Sequence, residues 1–128
     1  MGSEQPKYVD VTDLEVYKVA FDRSNLVWKV VMEWSPFAKD TIEKQFVRAL
    51  DSLSANIAEG YGRYGRNDKI RFYFILSGSL RESIDSVNKA KNRNLIDDQH
   101  YNSIYFRLSL LPKLIHQEIK YTRDHLKI

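Results

Sequence analysis

Apolar residues recur every three or four positions through most of this chain, and glycine and proline interrupt them in few places. Four long segments result, each with helical period. The first runs from about Asp10 to Trp34. Leu14, Tyr17, Phe21, Trp28 and Val31 form one apolar stripe on it, and Val16, Ala20, Val27 and Trp34 form a second. That face is broader than one packing partner needs, so the segment reads as the central helix of a bundle or as a helix partly covered by another subunit. The second segment, about Lys39 to Glu59, follows a Ser35-Pro36 break and sets Ile42, Phe46, Ala49, Leu50, Leu53 and Ile57 in helical register. Gly60 is its expected stop.

The third segment, about Asn67 to Asn92, carries Tyr73, Leu76, Leu80, Ile84 and Val87, with Asn67 or Asp68 as its expected cap. Gly78 lies mid-helix, either tolerated there or kept so that another backbone can pass close by. The fourth, about Asp97 to Leu126, carries Tyr101, Ile104, Tyr105, Leu108, Leu111, Ile115, Ile119 and Leu126, with Asp97 or Asp98 as cap. Pro112 inside it predicts a kink or two abutting helices, because it lacks an N–H and crowds the carbonyl of Leu108. Short connections make consecutive helices antiparallel neighbours. The expected fold is all-α, an up-down-up-down antiparallel four-helix bundle spanning residues 10–128 as one domain, after a flexible N-terminal segment at 1–9.

Composition narrows the chemistry. The chain has 128 residues and no cysteine, which removes thiolate catalysis, zinc-ribbon sites, iron–sulfur ligation and disulfides. The start has neither a signal-peptide pattern nor, with proline at position 6, a myristoylation pattern, and no apolar run reaches the ~18–20 residues of a membrane span. The expectation is a cytoplasmic protein with no membrane partner. The net charge of +3 hides a split: residues 1–60 hold seven Lys/Arg against ten Asp/Glu, and residues 61–128 hold thirteen against seven. Charge asymmetry of this kind can mark an interaction surface.

Searches for catalysis fail. Gly60-Tyr61-Gly62-Arg63-Tyr64-Gly65 spells the dinucleotide-binding pattern, but a helical stretch precedes it where a strand is required. A helix–helix turn with positive φ at its glycines is the simpler reading. No Glu-x-x-His pair or H-E-x-x-H motif occurs, and His100, His116 and His125 have no ligand spacing. No enzymatic activity, metal or cofactor is expected.

What remains is polar and basic. Asn56 and Glu59 share one side of a helix end, Ser79 and Glu82 share one side of the next, and Arg63 follows the turn. Asn56, Glu59, Arg63, Ser79 and Glu82 therefore form an expected structural cluster that fixes register between the second and third segments. The run Ser54-Ala55-Asn56-Ile57-Ala58-Glu59-Gly60-Tyr61-Gly62-Arg63, with Ile70-Arg71-Phe72 and Gly78-Ser79-Leu80-Arg81-Glu82, closely resembles the bacterial four-helix bundle proteins encoded in intervening sequences of 23S rRNA genes, once taken for a ribosomal protein. The resemblance covers roughly residues 10–122. Two positions depart from it: Leu76 stands where a small residue is expected, and Ile84 where a second acidic residue is expected. The resemblance implies a ring-shaped homopentamer, binding of RNA or DNA, and no enzymatic activity. It also implies kinship with accessory proteins that partner a reverse transcriptase.

Basic residues supply the candidate interface. Lys113, His116, Lys120, Arg123 and Lys127 form one stripe, about 120° around the helix from its apolar face. Arg63, Arg66, Lys69 and Arg71 cluster at the turn into the third segment beside Tyr61 and Tyr64, and Lys89, Lys91 and Arg93 sit at its far end. Cations can bind phosphates, and tyrosines can stack on unpaired bases. Asp85 with Lys89 and Asp124 with Lys120 could instead be ordinary solvated pairs. The leading reading is a homo-oligomer that binds ribosomal or other structured RNA. The alternative is a protein-interaction scaffold, or an accessory subunit for a nucleic-acid enzyme.

Overall fold

The computed structural model describes residues 10–126. Among them every regular element is helical and there is no strand. A single 3-10 turn, Val11–Asp13, precedes helix α1, Glu15–Val31. Ser35 then caps a short helix α2, Pro36–Ala38, by accepting a hydrogen bond from the Ala38 N–H at 3.3 Å, with Pro36 in the first-turn position that tolerates it. A π-helical turn, Lys39–Glu43, leads into α3, Lys44–Gly62. Helix α4 is Arg66–Asn92, α5 is Asp98–Leu108 and α6 is Leu111–His125. Pro112 falls in the first turn of α6, so the fourth segment is two abutting helices and the missing N–H interrupts neither.

Side-chain contacts give the directions. The Trp34 ring stacks on Phe46 at 5.6 Å, while Ser24 bonds to Asp51, so α1 and α3 run antiparallel. Ser83 Oγ lies 2.9 Å from the Ala49 carbonyl and Asn56 Nδ2 donates to Ser79 Oγ at 3.2 Å, which makes α3 and α4 antiparallel. Trp34 Nε1 donates to the Leu95 carbonyl at 2.8 Å and Arg23 donates to Ser103 Oγ at 2.7 Å, which sets α5 against α1. One apolar core runs through all four segments.

Two loop devices fix the α4–α5 corner. Asn94 adopts φ 60°, and the Leu95 N–H reaches back to the Ala90 carbonyl at 2.9 Å while the Asn94 N–H reaches Lys91 at 3.1 Å. That is a Schellman ending, with asparagine in the left-handed position. Asp97 then caps α5 by accepting from the His100 N–H at 2.7 Å, which holds its carboxyl below the usual range.

The glycine run behaves differently from the sequence expectation. The helix continues to Gly62, Arg63 leaves it in extended conformation, and no described glycine has positive φ. Gly60 instead permits close packing: a Cβ there would meet Phe72 Cβ at 2.9 Å. Helix α4 opens at Arg66 without a side-chain cap, and Asp68 is drawn away from any capping role by Arg71 at 2.9 Å and Arg63 at 3.6 Å. Gly78 is exposed, and among the described residues nothing lies within 4 Å of where a methyl group would stand, so no described backbone crosses it.

Of the two stripes on α1, Val16, Ala20, Val27 and Trp34 are buried with Val31, whereas Phe21 and Trp28 are 47% and 50% exposed. Leu76, one of the two positions that depart from the resemblance, is fully buried, and Ile84, the other, packs against the core.

The two glycines should respond oppositely to alanine. Gly60→Ala should lose about 1–3 kcal/mol through overpacking against Phe72. Gly78→Ala should gain about 0.4–1 kcal/mol from lower unfolded-state entropy. Urea unfolding midpoints at unchanged m-value read both signs.

Candidate nucleic-acid interface

The expected polar cluster resolves into two parts. Asn56 bonds to Ser79 across the α3–α4 seam. One turn on, Arg63 meets Glu59 at 3.2 Å, the residue whose charge the C-terminal end of α3 disfavours. Glu82 joins neither; it is exposed on the outer side of α4. The reason is helical phase: Ser79 and Ser83, ~40° apart, face α3, and Glu82 lies ~60° from Ser79 on the side away from Ser83.

The expected basic clusters also divide. At the α3–α4 turn, Arg63 pairs with Glu59 and Asp68 and lies 4.6 Å from the Phe72 ring centre. Arg71 pairs with Asp68 and lies 5.0 Å from the same ring. Arg66 makes no ion pair among the described residues, and its Nε is buried without a partner. Lys69 turns inward and donates to the Tyr61 carbonyl, with its ammonium 5.1 Å from the Tyr61 ring centre. Burial lowers its pKa, against the opposing attraction of Glu118. Lys69 is thus withdrawn from the outer basic surface.

At the far end of α4, Lys89 pairs with Asp85 at 2.8 Å, and Lys91 with Asp98 at 3.0 Å beside the Tyr101 ring. Arg93 has no ion pair among the described residues and is exposed. On α6, Lys113, His116, Lys120 and Arg123 are all exposed, and none pairs with a carboxylate among the described residues, Asp124 included. Lys127 lies outside the described residues. The structure therefore leaves the α6 stripe as a group of cations on one helix without ion-pair partners among the described residues.

Other residues gather that the linear pattern did not reveal. Tyr61, Gly62, Lys69, Tyr73, Glu118, Tyr121, Thr122 and Leu126 line a cavity of about 420 Å³ where the end of α3, the start of α4 and the end of α6 meet. Burial raises the pKa of Glu118, with Lys69 opposing. Burial first, then the charges of Glu118 and Tyr61, raise that of Tyr73. No described helix is long and apolar enough to cross a membrane.

This framework of a close α3–α4 seam at Asn56–Gly62 and four helical segments can be set beside known proteins. A family model for 23S rRNA-intervening sequence proteins matches residues 12–117. The chain belongs to that family. No curated protein matches it. In this family member the run 54–63 does packing work: Ile57 and Gly60 are buried, Asn56 crosses to Ser79, and Glu59 and Arg63 close the helix end.

Glu118 gives a pH test. Its folded-state pKa is raised, so the folded chain keeps the proton to higher pH than the unfolded chain. Stability therefore falls as pH rises from the unfolded-state value of ~4.3 through the raised folded value. Glu118→Gln removes that contribution. The wild type should lose stability relative to Glu118→Gln between pH 4 and pH 7, read from paired urea titrations.

Proposed function

We propose that this family member is a non-enzymatic, homo-oligomeric, cytoplasmic helical protein that binds structured RNA, ribosomal or other, through exposed cations. The observation that carries the reading is the α6 face, where Lys113, Lys120 and Arg123 stand exposed without ion pairs among the described residues, with His116 between them. Ten residues separate the first from the last, about 15 Å of helix. Cations of this kind bind phosphates by releasing condensed counterions. Arg66 and Arg93 add two more unneutralised positions on α4, whereas Arg63, Arg71, Lys89 and Lys91 are already balanced by carboxylates.

Self-association is supported by the outer stripe of α1. Phe21, Trp28 and Met32 follow one another at helical spacing and are each about half exposed, at 47%, 50% and 51%. Aromatic anchors of this type dominate protein interfaces. The resemblance adds the form, a ring of five, in which one weak basic face becomes five linked ones.

A second reading, an interaction scaffold or an accessory subunit for a reverse transcriptase, is favoured by a different surface. Phe74 and Ile75 are exposed on the outer side of α4 beside the open Gly78. Contiguous exposed apolar surface marks interaction sites.

A gel-shift salt series with ribosomal RNA fragments should give a steep loss of affinity with salt. The triple variant Lys113→Ala, Lys120→Ala, Arg123→Ala should lower the log–log slope by roughly two to three units. A flat wild-type slope overturns the RNA reading. A protein partner that survives nuclease treatment and binds the triple variant unchanged supports the scaffold. Light scattering should give a mass several times 15.1 kDa for the wild type and a monomer for Trp28→Glu.

A further inference from the structure

The cavity between the end of α3, the start of α4 and α6 brings together the polar groups of Lys69, Tyr73 and Glu118. Tyr73 is 1% exposed, yet its hydroxyl has no hydrogen-bond partner among the described residues. The Glu118 carboxylate, also on the cavity wall, makes neither a hydrogen bond nor an ion pair among the described residues. Lys69 is close enough for its charge to be felt at Glu118, but the two do not close a direct pair. Its ammonium is held by the Tyr61 carbonyl, which uses one of three donors and leaves two. The volume of about 420 Å³ falls in the range of small-molecule sites, roughly 300–1,000 Å³.

The chemistry of the wall selects a ligand class. One positive and one negative group give a site with no net charge, which suits a neutral polar body better than a phosphate. Aromatic rings frame it, and Tyr121, exposed at the rim, is stacked on His125 at 4.1 Å, which leaves its other face for a planar ring. A carboxylate offers two adjacent acceptors, and the ammonium offers a donor beside them. Among the four RNA bases only guanine presents two adjacent donors, N1–H and N2–H₂, next to an acceptor, O6.

We propose that this cavity is a guanine site that takes the base of an unpaired guanosine, with Glu118 accepting from N1–H and N2–H₂, Lys69 donating to O6, Tyr73 supplying its free hydroxyl and Tyr121 stacking on the ring. The proposal deepens the RNA-binding reading and rests on it for the source of the base. Reading a splayed base on its Watson–Crick edge, with aromatic stacking, is the general way single-stranded RNA is recognised by sequence. The α6 basic stripe then supplies affinity for any RNA, and the cavity supplies preference for an unpaired guanosine.

Two measurements on the full-length protein test it. Equilibrium dialysis against guanosine, adenosine, cytidine and uridine reads the cavity without phosphate. Fluorescence anisotropy compares a labelled twelve-residue oligouridine with the same oligomer carrying guanosine at every third position. Guanosine should bind about tenfold tighter than the other nucleosides, and the guanosine-bearing oligomer about tenfold tighter than oligouridine. Glu118→Gln and Tyr73→Phe, each checked for an unchanged circular dichroism spectrum, should both shrink these ratios, Glu118→Gln to within twofold, with oligouridine affinity unchanged. The Lys113, Lys120 and Arg123 triple variant should weaken both oligomers equally and keep the ratio. Equal retention of the four nucleosides together with equal affinity for the two oligomers overturns the guanine site, and oligouridine binding then decides the RNA reading separately. Retention of guanosine with no binding of either oligomer upholds the site for free guanine nucleosides and overturns the RNA reading.

Discussion

Helices α3 and α4 touch at Gly60, where even a methyl group would stand 2.9 Å from Phe72 Cβ. Much of the local arrangement depends on that approach. Because Phe72 seats against the glycine, its ring is available to Arg63 and Arg71, whose guanidiniums lie 4.6 and 5.0 Å from its centre. Asp68 then neutralises both arginines. The same approach brings the first turn of α4 under the last turn of α3, so Lys69 meets the Tyr61 carbonyl in that last turn. A lysine that would otherwise extend into water becomes part of a cavity wall.

Charge in this protein is sorted by phase and by neighbours. Seven of the cations singled out by their clustering are Arg63, Arg66, Lys69, Arg71, Lys89, Lys91 and Arg93, all at the ends of α4. Four of them meet carboxylates within ion-pair distance, and one turns inward. On α6 the described cations are exposed and form no ion pair among the described residues. Exposed ion pairs contribute little to stability, but they do cancel the local field that would attract a phosphate. The basic half of the chain therefore groups three unpaired cations on α6, while Arg66, Arg81, Arg93 and Arg107 stand without ion pairs elsewhere among the described residues.

Apolar residues show the same division. The core takes one stripe of α1 and leaves Phe21, Trp28 and Met32 outside, and it takes Leu76 and Leu80 from α4 and leaves Phe74 and Ile75. A single bundle core covers only part of a broad apolar helix. The remainder forms two separate outward surfaces, one on α1 and one on α4 beside Gly78, which is why self-association and partner binding can be assigned to different faces.

Helical period, the Ser35-Pro36 restart, the Asp97 cap and the break around Pro112 were all legible in the sequence, because each is a local property of a few neighbouring residues. The two stripes of α1 were legible as well, although not which of them is buried, since that depends on where α3 and α5 lie. Locally, the glycine run reads as a turn needing positive φ. Its real constraint is a contact with Phe72, twelve residues on, and no local pattern shows that distance. The outward position of Glu82 and the inward turn of Lys69 escape it for the same reason, since spacing gives a residue's face but not what stands opposite it. Glu118, Tyr73, Tyr121 and Thr122 carry no motif that joins them to Lys69. The sequence by itself determined the helices, their order and the family. The tertiary structure alone decided which charges are cancelled and which polar groups share a cavity, because both depend on contacts between residues far apart in the chain.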